Sequence, residues 1–222
     1  MKICILIPVL NEAKSIGQIV QSVKSRGLDI VVVDDGSHDG CGEIARKNGA
    51  IVLRNELRQG KGASLQKGFD YIATHAYDGV ITMDGDGQHD MNDIGKFVAL
   101  ARPSPSCVIT GDRMTNAKGM PFVRYWTNRF MSFLISLACG QAIADTQCGY
   151  RYISCDILRR IHFHSRAYEI ETEILMKASK AGFKIYSVPV KTIYAGEASH
   201  INPFGDTLRF IVYFIKEIFT KL

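Results

Sequence analysis

Nowhere in these 222 residues is there an uninterrupted apolar run of the ~18 residues that a membrane-spanning helix needs, so no span is expected. The six cysteines, at 4, 41, 107, 139, 148 and 155, include no Cys-x-x-Cys pair and sit mostly in apolar surroundings. That usage fits buried, reduced thiols in a cytosolic protein better than a disulfide framework. No long Lys/Arg run, zinc-finger spacing or RNA-binding aromatic motif occurs, so nucleic acid is not an expected partner. Repeats, low-complexity tracts and long linkers are absent. The apolar opening, Ile3 to Ile7, is soon followed by Asn11 and Glu12 and reads as a first strand, not a signal peptide.

The chain does have enough apolar residues, 46%, to bury a sizeable core as one domain with a small C-terminal appendage. Its net charge of +5 suits an anionic substrate or an anionic membrane surface. Up to about residue 112, short apolar runs alternate with amphipathic segments, the pattern of βα units on a mainly parallel sheet. Strands are expected at 3–7, 30–34, 50–54, 79–84 and 107–111, and helices at 14–26, 39–48, 62–75 and 92–102. Three polar clusters, Pro8 to Glu12, Asp34 to Ser37 and Asp84 to Gln88, then fall at strand ends and converge on one sheet edge, where open α/β sheets bind ligands.

The most informative cluster is Asp84-Gly85-Asp86-Gly87-Gln88-His89, which follows the apolar run Val80 to Met83. Magnesium binds through one or two carboxylates plus substrate phosphates, so paired acids at a strand end suggest a metal and diphosphate clamp. Taken alone, such a pair is a polar, glycine-rich turn. Asp34-Asp35-Gly36-Ser37 offers acids to a base or ribose, or an Asp-Gly turn. Gly60-Lys61-Gly62 places a lysine at a helix start, which suits a phosphate or sugar hydroxyl, but it is neither a Walker loop nor a dinucleotide fingerprint. Asp145 to Arg151 packs an acid, small polar groups and an arginine into an apparent loop. Glu169, Glu171 and Glu173 begin a helix, where acids complement the dipole without further role. Histidines 162, 164 and 200 have no metal-ligand spacing.

Two apolar stripes complete the pattern. Phe122, Trp126, Phe130, Phe133, Leu134 and Leu137 recur at helical spacing, with Arg124, Asn128 and Arg129 elsewhere on the same helix. This helix either lies on a membrane or packs on the core. Phe204, Leu208, Ile211, Val212, Ile215, Ile218, Phe219 and Leu222 form the second stripe, accompanied by Arg209, Lys216 and Lys221.

Ile7 to Glu12, Val33 to Ser37, Gly60 to Gly62, Asp84 to His89, Gly111-Asp112-Arg113 and Asp145 to Arg151 occur in the order and spacing of family 2 glycosyltransferases. Within that family the chain resembles the dolichol-phosphate mannose synthase and polyprenyl-phosphate sugar synthase group over nearly its whole length. The resemblance implies an α/β fold of the GT-A type over residues 1–200, and the second stripe is expected to form a C-terminal amphipathic helix at 201–222. The resemblance also implies metal-assisted, inverting transfer from a GDP- or UDP-sugar to a lipid phosphate, and the two apolar stripes with their basic residues add the expectation of a protein held peripherally at the cytoplasmic face of a membrane. Pro8, Glu12, Asp35 and Lys61 would line the nucleotide pocket, and Asp84, Asp86 and Gln88 would hold Mg2+ or Mn2+. Arg113 would contact donor phosphate, Arg124 and Asn128 would meet the acceptor phosphate, and Asp145 and Arg151 would border the reacting sugar. A lipid phosphate needs no general base. A hydroxyl acceptor in glycan or glycolipid synthesis would need one, with Asp145 the first candidate and Glu171 the second. A homo-oligomer or a membrane partner protein is compatible with this reading. Two departures from the family pattern are expected to matter: no counterpart is read here for the long C-terminal transmembrane region of many members, and a lysine often found in their C-terminal loop has no clear equivalent in Gly196 to His200. A pyrophosphorylase would require a glycine-rich basic loop where Pro8 to Glu12 stands, and a noncatalytic membrane-docking module would not require intact acids at 84 and 86.

Overall fold

The computed structural model describes residues 1–117, 119–193 and residue 214. Along them run β1 (Ile3–Val9), α1 (Ile16–Lys24), β2 (Asp29–Asp34), α2 (Cys41–Lys47), β3 (Ile51–Arg54), α3 (Lys61–Ala73) and β4 (Gly79–Thr82). There follow α4 (Ile94–Ala101), β5 (Cys107–Asp112), α5 (Phe122–Cys139), β6 (Arg151–Ser154), α6 (Cys155–Arg160), α7 (Ile170–Lys180) and β7 (Lys184–Pro189). The elements expected up to residue 112 are all present, their ends shifted by one or two residues.

The strands form one sheet in the order β3-β2-β1-β4-β6-β5-β7. β6 alone runs against its neighbours; the other pairings are parallel. Because successive side chains of a strand point to opposite faces, the β-branched runs of β1 and β2 supply two cores. Cys4, Leu6, Val31 and Val33 enter the core shared with α3, α6 and α7, whereas Ile5, Ile7, Ile30 and Val32 enter the one shared with α1, α2 and α4. A sheet covered on both faces needs such continuous apolar strands. The half-buried Phe214 packs against the first of these cores. The remainder of the second apolar stripe, and the loop at 196–200, lie outside the described residues.

The reversed strand corrects the reading of Arg151 as part of a loop. Its four residues are buried and pair Arg151 with both Thr82 of β4 and Thr110 of β5. The N-terminal end of β6 therefore meets the C-terminal ends of the strands beside it, and the loop 145–150 is delivered to the edge that carries Asp84.

Helix α5 bears on the other open choice. Phe122, Trp126, Phe130, Phe133 and Leu137 are exposed, Phe130 by 63% and Phe133 by 64%, while Asn128, Ser132 and Ile135 are buried. The apolar stripe is turned away from the described core, and mainly small or polar side chains face it.

Candidate active site

The loops after β1 and β2 are stitched together. The Asp35 amide donates to Val9 O (2.9 Å), the Asn11 amide to Ser37 Oγ (3.0 Å), and the His38 amide to Asn11 Oδ1 (3.0 Å). Asn11 takes a left-handed conformation, φ 59°, which asparagine tolerates better than most residues. Pro8 and Glu12 are half-buried along this rim.

Asp35 lies beneath the rim instead of presenting an open carboxylate. Its Oδ1 accepts from Asn55 Nδ2 (2.8 Å) and the Gln59 amide (2.9 Å), and its Oδ2 accepts from the Gly60 amide (2.8 Å). Asp35 thus fixes the loop leading to Lys61. At the start of α3 the backbone amides are not open to a ligand. The amides of Gly62 and Ala63 donate to Arg166 O at 2.9 and 3.3 Å, so these helix-end donors are already satisfied. What reaches the site is the Lys61 side chain.

The Lys61 ammonium sits 2.6 Å from Asp84 Oδ1 and 2.7 Å from Glu171 Oε1, with the Tyr168 ring 5.6 Å away. The second oxygen of Asp84 meets His89 Nε2 at 3.2 Å. Burial alone would raise the Asp84 carboxyl, but the Lys61 charge and the His89 hydrogen bond override it and hold the group well below its ordinary range. Lys61 is held charged in the same way: burial opposes its charge, and the Asp84 and Glu171 carboxylates outweigh that cost. Burial and the neighbouring charge of Asp84 push the Asp86 carboxyl upward. Gly149 covers the pair so closely that a Cβ there would lie 2.9 Å from Asp84 Oδ2 and 3.1 Å from Lys61 Nζ.

Below them is a layer of buried ion pairs. Arg151, 1% exposed, donates from Nε to Cys148 O (2.8 Å) and from Nη2 to Thr146 O (2.6 Å) and Glu171 Oε2 (3.3 Å). Its Nη1 donates to Glu171 O. Arg113 forks onto Asp145, Nε to Oδ2 at 2.7 Å and Nη2 to Oδ1 at 3.0 Å. These placements bear on three sequence expectations. Arg113 engages Asp145 through Nε and Nη2, which ties it to an internal carboxylate as well as to any donor phosphate. Arg151 supports the floor of the site without bordering its open side. Asp145, fully buried, has a carboxyl that burial would raise but that Arg113 holds below its usual range, which makes it a weak base. Glu171, the second candidate base, is shared between Lys61 and Arg151.

Helix α5 turns Arg124, Asn128 and Ser132 along one face, as spacing by four dictates. The Ser132 hydroxyl meets Thr146 Oγ1 at 3.2 Å and receives the Thr146 amide at 3.0 Å, which ties α5 to the 145–150 loop. Asn128 Nδ2 is buried without a hydrogen-bond partner among the described residues. Half-buried Arg124 holds no carboxylate among them. His89 and Tyr168 were not singled out from the sequence. His89 lay inside a motif read for its acids, and nothing local marks Tyr168.

No cluster of three His, Cys, Asp or Glu side chains arranged to hold a metal occurs among the described residues. Asp84 and Asp86 nonetheless fit a hard divalent cation, because two carboxylates suffice when substrate phosphates complete the shell. A carboxylate such as Asp86, raised by burial and by its neighbour's charge, gains from a cation between them.

The solved structure of mannosyl-3-phosphoglycerate synthase from Rubrobacter xylanophilus superposes with a TM-score of 0.75 at 18% identity, covering 97% of this chain and 73% of that one. The fold is thus the GT-A glycosyltransferase fold. The model of glycosyl transferase family 2 matches residues 4–162, and the chain belongs to that family. Over 215 residues it is 30% identical to the UDP-N-acetylglucosamine--dolichyl-phosphate N-acetylglucosaminyltransferase of Methanococcus voltae, covering 86% of each chain. Over 207 residues it is 27% identical to the undecaprenyl-phosphate mannosyltransferase of Micrococcus luteus, covering 86% of this chain and 83% of that protein.

Proposed function

We propose that this protein transfers a sugar from a nucleotide-diphosphate sugar, GDP- or UDP-linked, to a polyprenyl phosphate, with inversion at the sugar carbon. The observation that carries the acceptor assignment is Asn128, a buried donor with no partner among the described residues, one helical turn from Arg124. A buried, unpaired donor costs ~1–3 kcal/mol, and an anionic oxygen that accepts from it removes that cost. A guanidinium beside it pairs phosphate oxygens in a fork that no neutral group reproduces. The names of both relatives, one dolichyl-phosphate and one undecaprenyl-phosphate transferase, support the same acceptor class.

On the donor side, Asp84 and Asp86 would hold Mg2+ or Mn2+, with Gln88 on the same loop. The bound ion supplies positive charge that offsets the charge growing on the departing nucleoside diphosphate. Lys61 adds a second positive charge next to Asp84, and the loops at Pro8 to Glu12 and Asp34 to Ser37 form the rim for base and ribose. Arg124 and Asn128 orient the acceptor oxygen for attack opposite the leaving group. No proton need be removed, since a phosphate monoester is anionic near neutral pH. That requirement favours a phosphate over a hydroxyl acceptor, because the two candidate bases, Asp145 and Glu171, are both locked in ion pairs.

The outward apolar face of α5 would lie on the bilayer at the cytoplasmic side, beside the acceptor's head group, and the stripe at 204–222 would add to it. No helix of the described residues is long and apolar enough to cross a membrane, and an interfacial helix needs no such length. The test is a panel of nucleotide sugars with Mn2+ and either a polyprenyl phosphate or the corresponding alcohol, with label counted in the organic extract. One donor should give product with the phosphate and none with the alcohol. Product from the alcohol alone, or none from any pair, overturns the assignment.

A further inference from the structure

The position of Lys61 raises a question that the donor site alone does not answer. Its ammonium, 2.6 Å from Asp84 Oδ1, already neutralises one of the two carboxylates assigned to the metal, and His89 occupies the other Asp84 oxygen. It is anchored on the far side by Glu171 at 2.7 Å, and Glu171 is in turn fixed by Arg151. Gly149 lies over the pair, and the Lys61 side chain is 18% exposed. A divalent cation arriving alone would have to share Asp84 with a nearby positive charge in a partly desolvated site, where like charges repel strongly. A diphosphate arriving with the cation changes this balance, because its oxygens accept from the ammonium and from the ion together.

We propose that Lys61 is a built-in counter-cation for Asp84, which divalent metal displaces only when the donor's diphosphate is present to receive the ammonium, so that metal and nucleotide bind as a coupled pair. The proposal rests on the assignment of Asp84 and Asp86 to the metal. By linkage the coupling is reciprocal: metal should tighten nucleotide binding by the same factor by which nucleotide tightens metal binding. Lys61 is a positioning residue in this scheme, acting on the ion through Asp84.

The experiment measures Mn2+ bound to the whole protein by the loss of free-ion EPR signal, with and without GDP or UDP, after allowing for Mn2+ complexed by free nucleotide. Wild-type protein should bind Mn2+ at least about tenfold more tightly when one nucleotide is present. Lys61→Met, which keeps the side chain's length without its charge, should bind Mn2+ alone about tenfold more tightly than wild type and lose most of the nucleotide enhancement. Lys61→Arg should retain the coupling. If Lys61→Met binds Mn2+ alone no better than wild type, or keeps the full enhancement, the proposal fails even where Asp86→Asn abolishes binding and upholds the metal site. Equal Mn2+ affinity of the wild type with and without both nucleotides overturns it whatever becomes of the variant. Failure of both wild type and variant to bind Mn2+ under any condition overturns the metal assignment as well.

Discussion

Helices α5 and α7 pack against each other, yet they sort their side chains in opposite ways. Helix α7 carries Glu171, Thr172 and Glu173 into the interior together with Ile170, Ile174, Leu175 and Met176. Helix α5 keeps Asn128 and Ser132 inside and exposes Phe122, Trp126, Phe130, Phe133 and Leu137. Hydropathy does not explain the difference; partners do. Glu171 is paired with Lys61 and Arg151, and Glu173 accepts from Lys177 and from the amides of His164 (2.9 Å) and Ser165 (2.8 Å). Buried charge is tolerated where it is fully paired. On α5 the outward rings stay largely exposed, with Phe122 and Trp126 edge to face at 6.1 Å between centroids, while Ser132 ties the inward side to Thr146. One helix is held by the protein's own counter-charges, and the other turns outward the apolar face proposed above for a lipid surface.

The largest expected effect breaks the buried side of this comparison. Asp145→Asn would leave Arg113 buried without its counter-charge, which should cost about 3–5 kcal/mol in chemical denaturation. The Asp145 carboxyl is held below its ordinary range, so the stability it lends is present above the unfolded pKa of ~3.9 and is lost as pH falls through and below that value. The variant's denaturation midpoint should accordingly depend less on pH than the wild type's on that acid limb, and parallel curves would contradict the pairing. Next in size, Asp86→Asn should fold normally and lose about a hundredfold or more in transfer rate. Full activity in that variant, or in excess chelator, would remove the metal from Asp84 and Asp86.

Smaller effects belong to α5. Arg124→Ala should raise the KM for polyprenyl phosphate by about tenfold or more, the loss of a charged hydrogen bond worth ~1.5–3 kcal/mol, with the donor KM little changed. Equal losses on both substrates would place Arg124 elsewhere. Phe130→Ser with Phe133→Ser should weaken sedimentation with anionic vesicles by at least about tenfold, since burying each ring contributes ~1.5–3 kcal/mol. Because both rings are exposed, unfolding should shift by no more than about 0.5 kcal/mol per site. A large loss of stability would mean that this face is packed against protein.

The first half of the fold was legible because each strand from β1 to β5 is a β-branched or apolar run and each helix between them has a clear apolar period. The second half was less so. β6 is only Arg151 to Ser154, begins with a charge and follows Gly149-Tyr150, so it resembles a loop; only pairing on both sides with β4 and β5 makes it a strand. Local chemistry singled out the acids at 84 and 86 and the lysine at 61, and the structure pairs Lys61 with Asp84. That chemistry did not reveal long-range partners: Lys61 with Glu171, 110 positions away, Arg113 with Asp145, or Arg166 O on the start of α3. The same residue types served for both readings, and only tertiary contact revealed that Arg113 engages an internal carboxylate. Which face of α5 looks outward was likewise beyond its periodicity, since an amphipathic helix gives the same pattern on a core or on a membrane.

The central claim is that the outward rings of α5 bring a membrane-borne phosphate to the inward stripe of the same helix. The direct measurement compares initial transfer rates of wild type and of Phe130→Ser with Phe133→Ser on two acceptors, a long polyprenyl phosphate embedded in vesicles and a short water-soluble prenyl phosphate. The account predicts that the variant loses most of its rate with the embedded acceptor at limiting lipid and keeps the wild-type rate with the soluble one. Equal loss on both acceptors, or no loss on either, would contradict it.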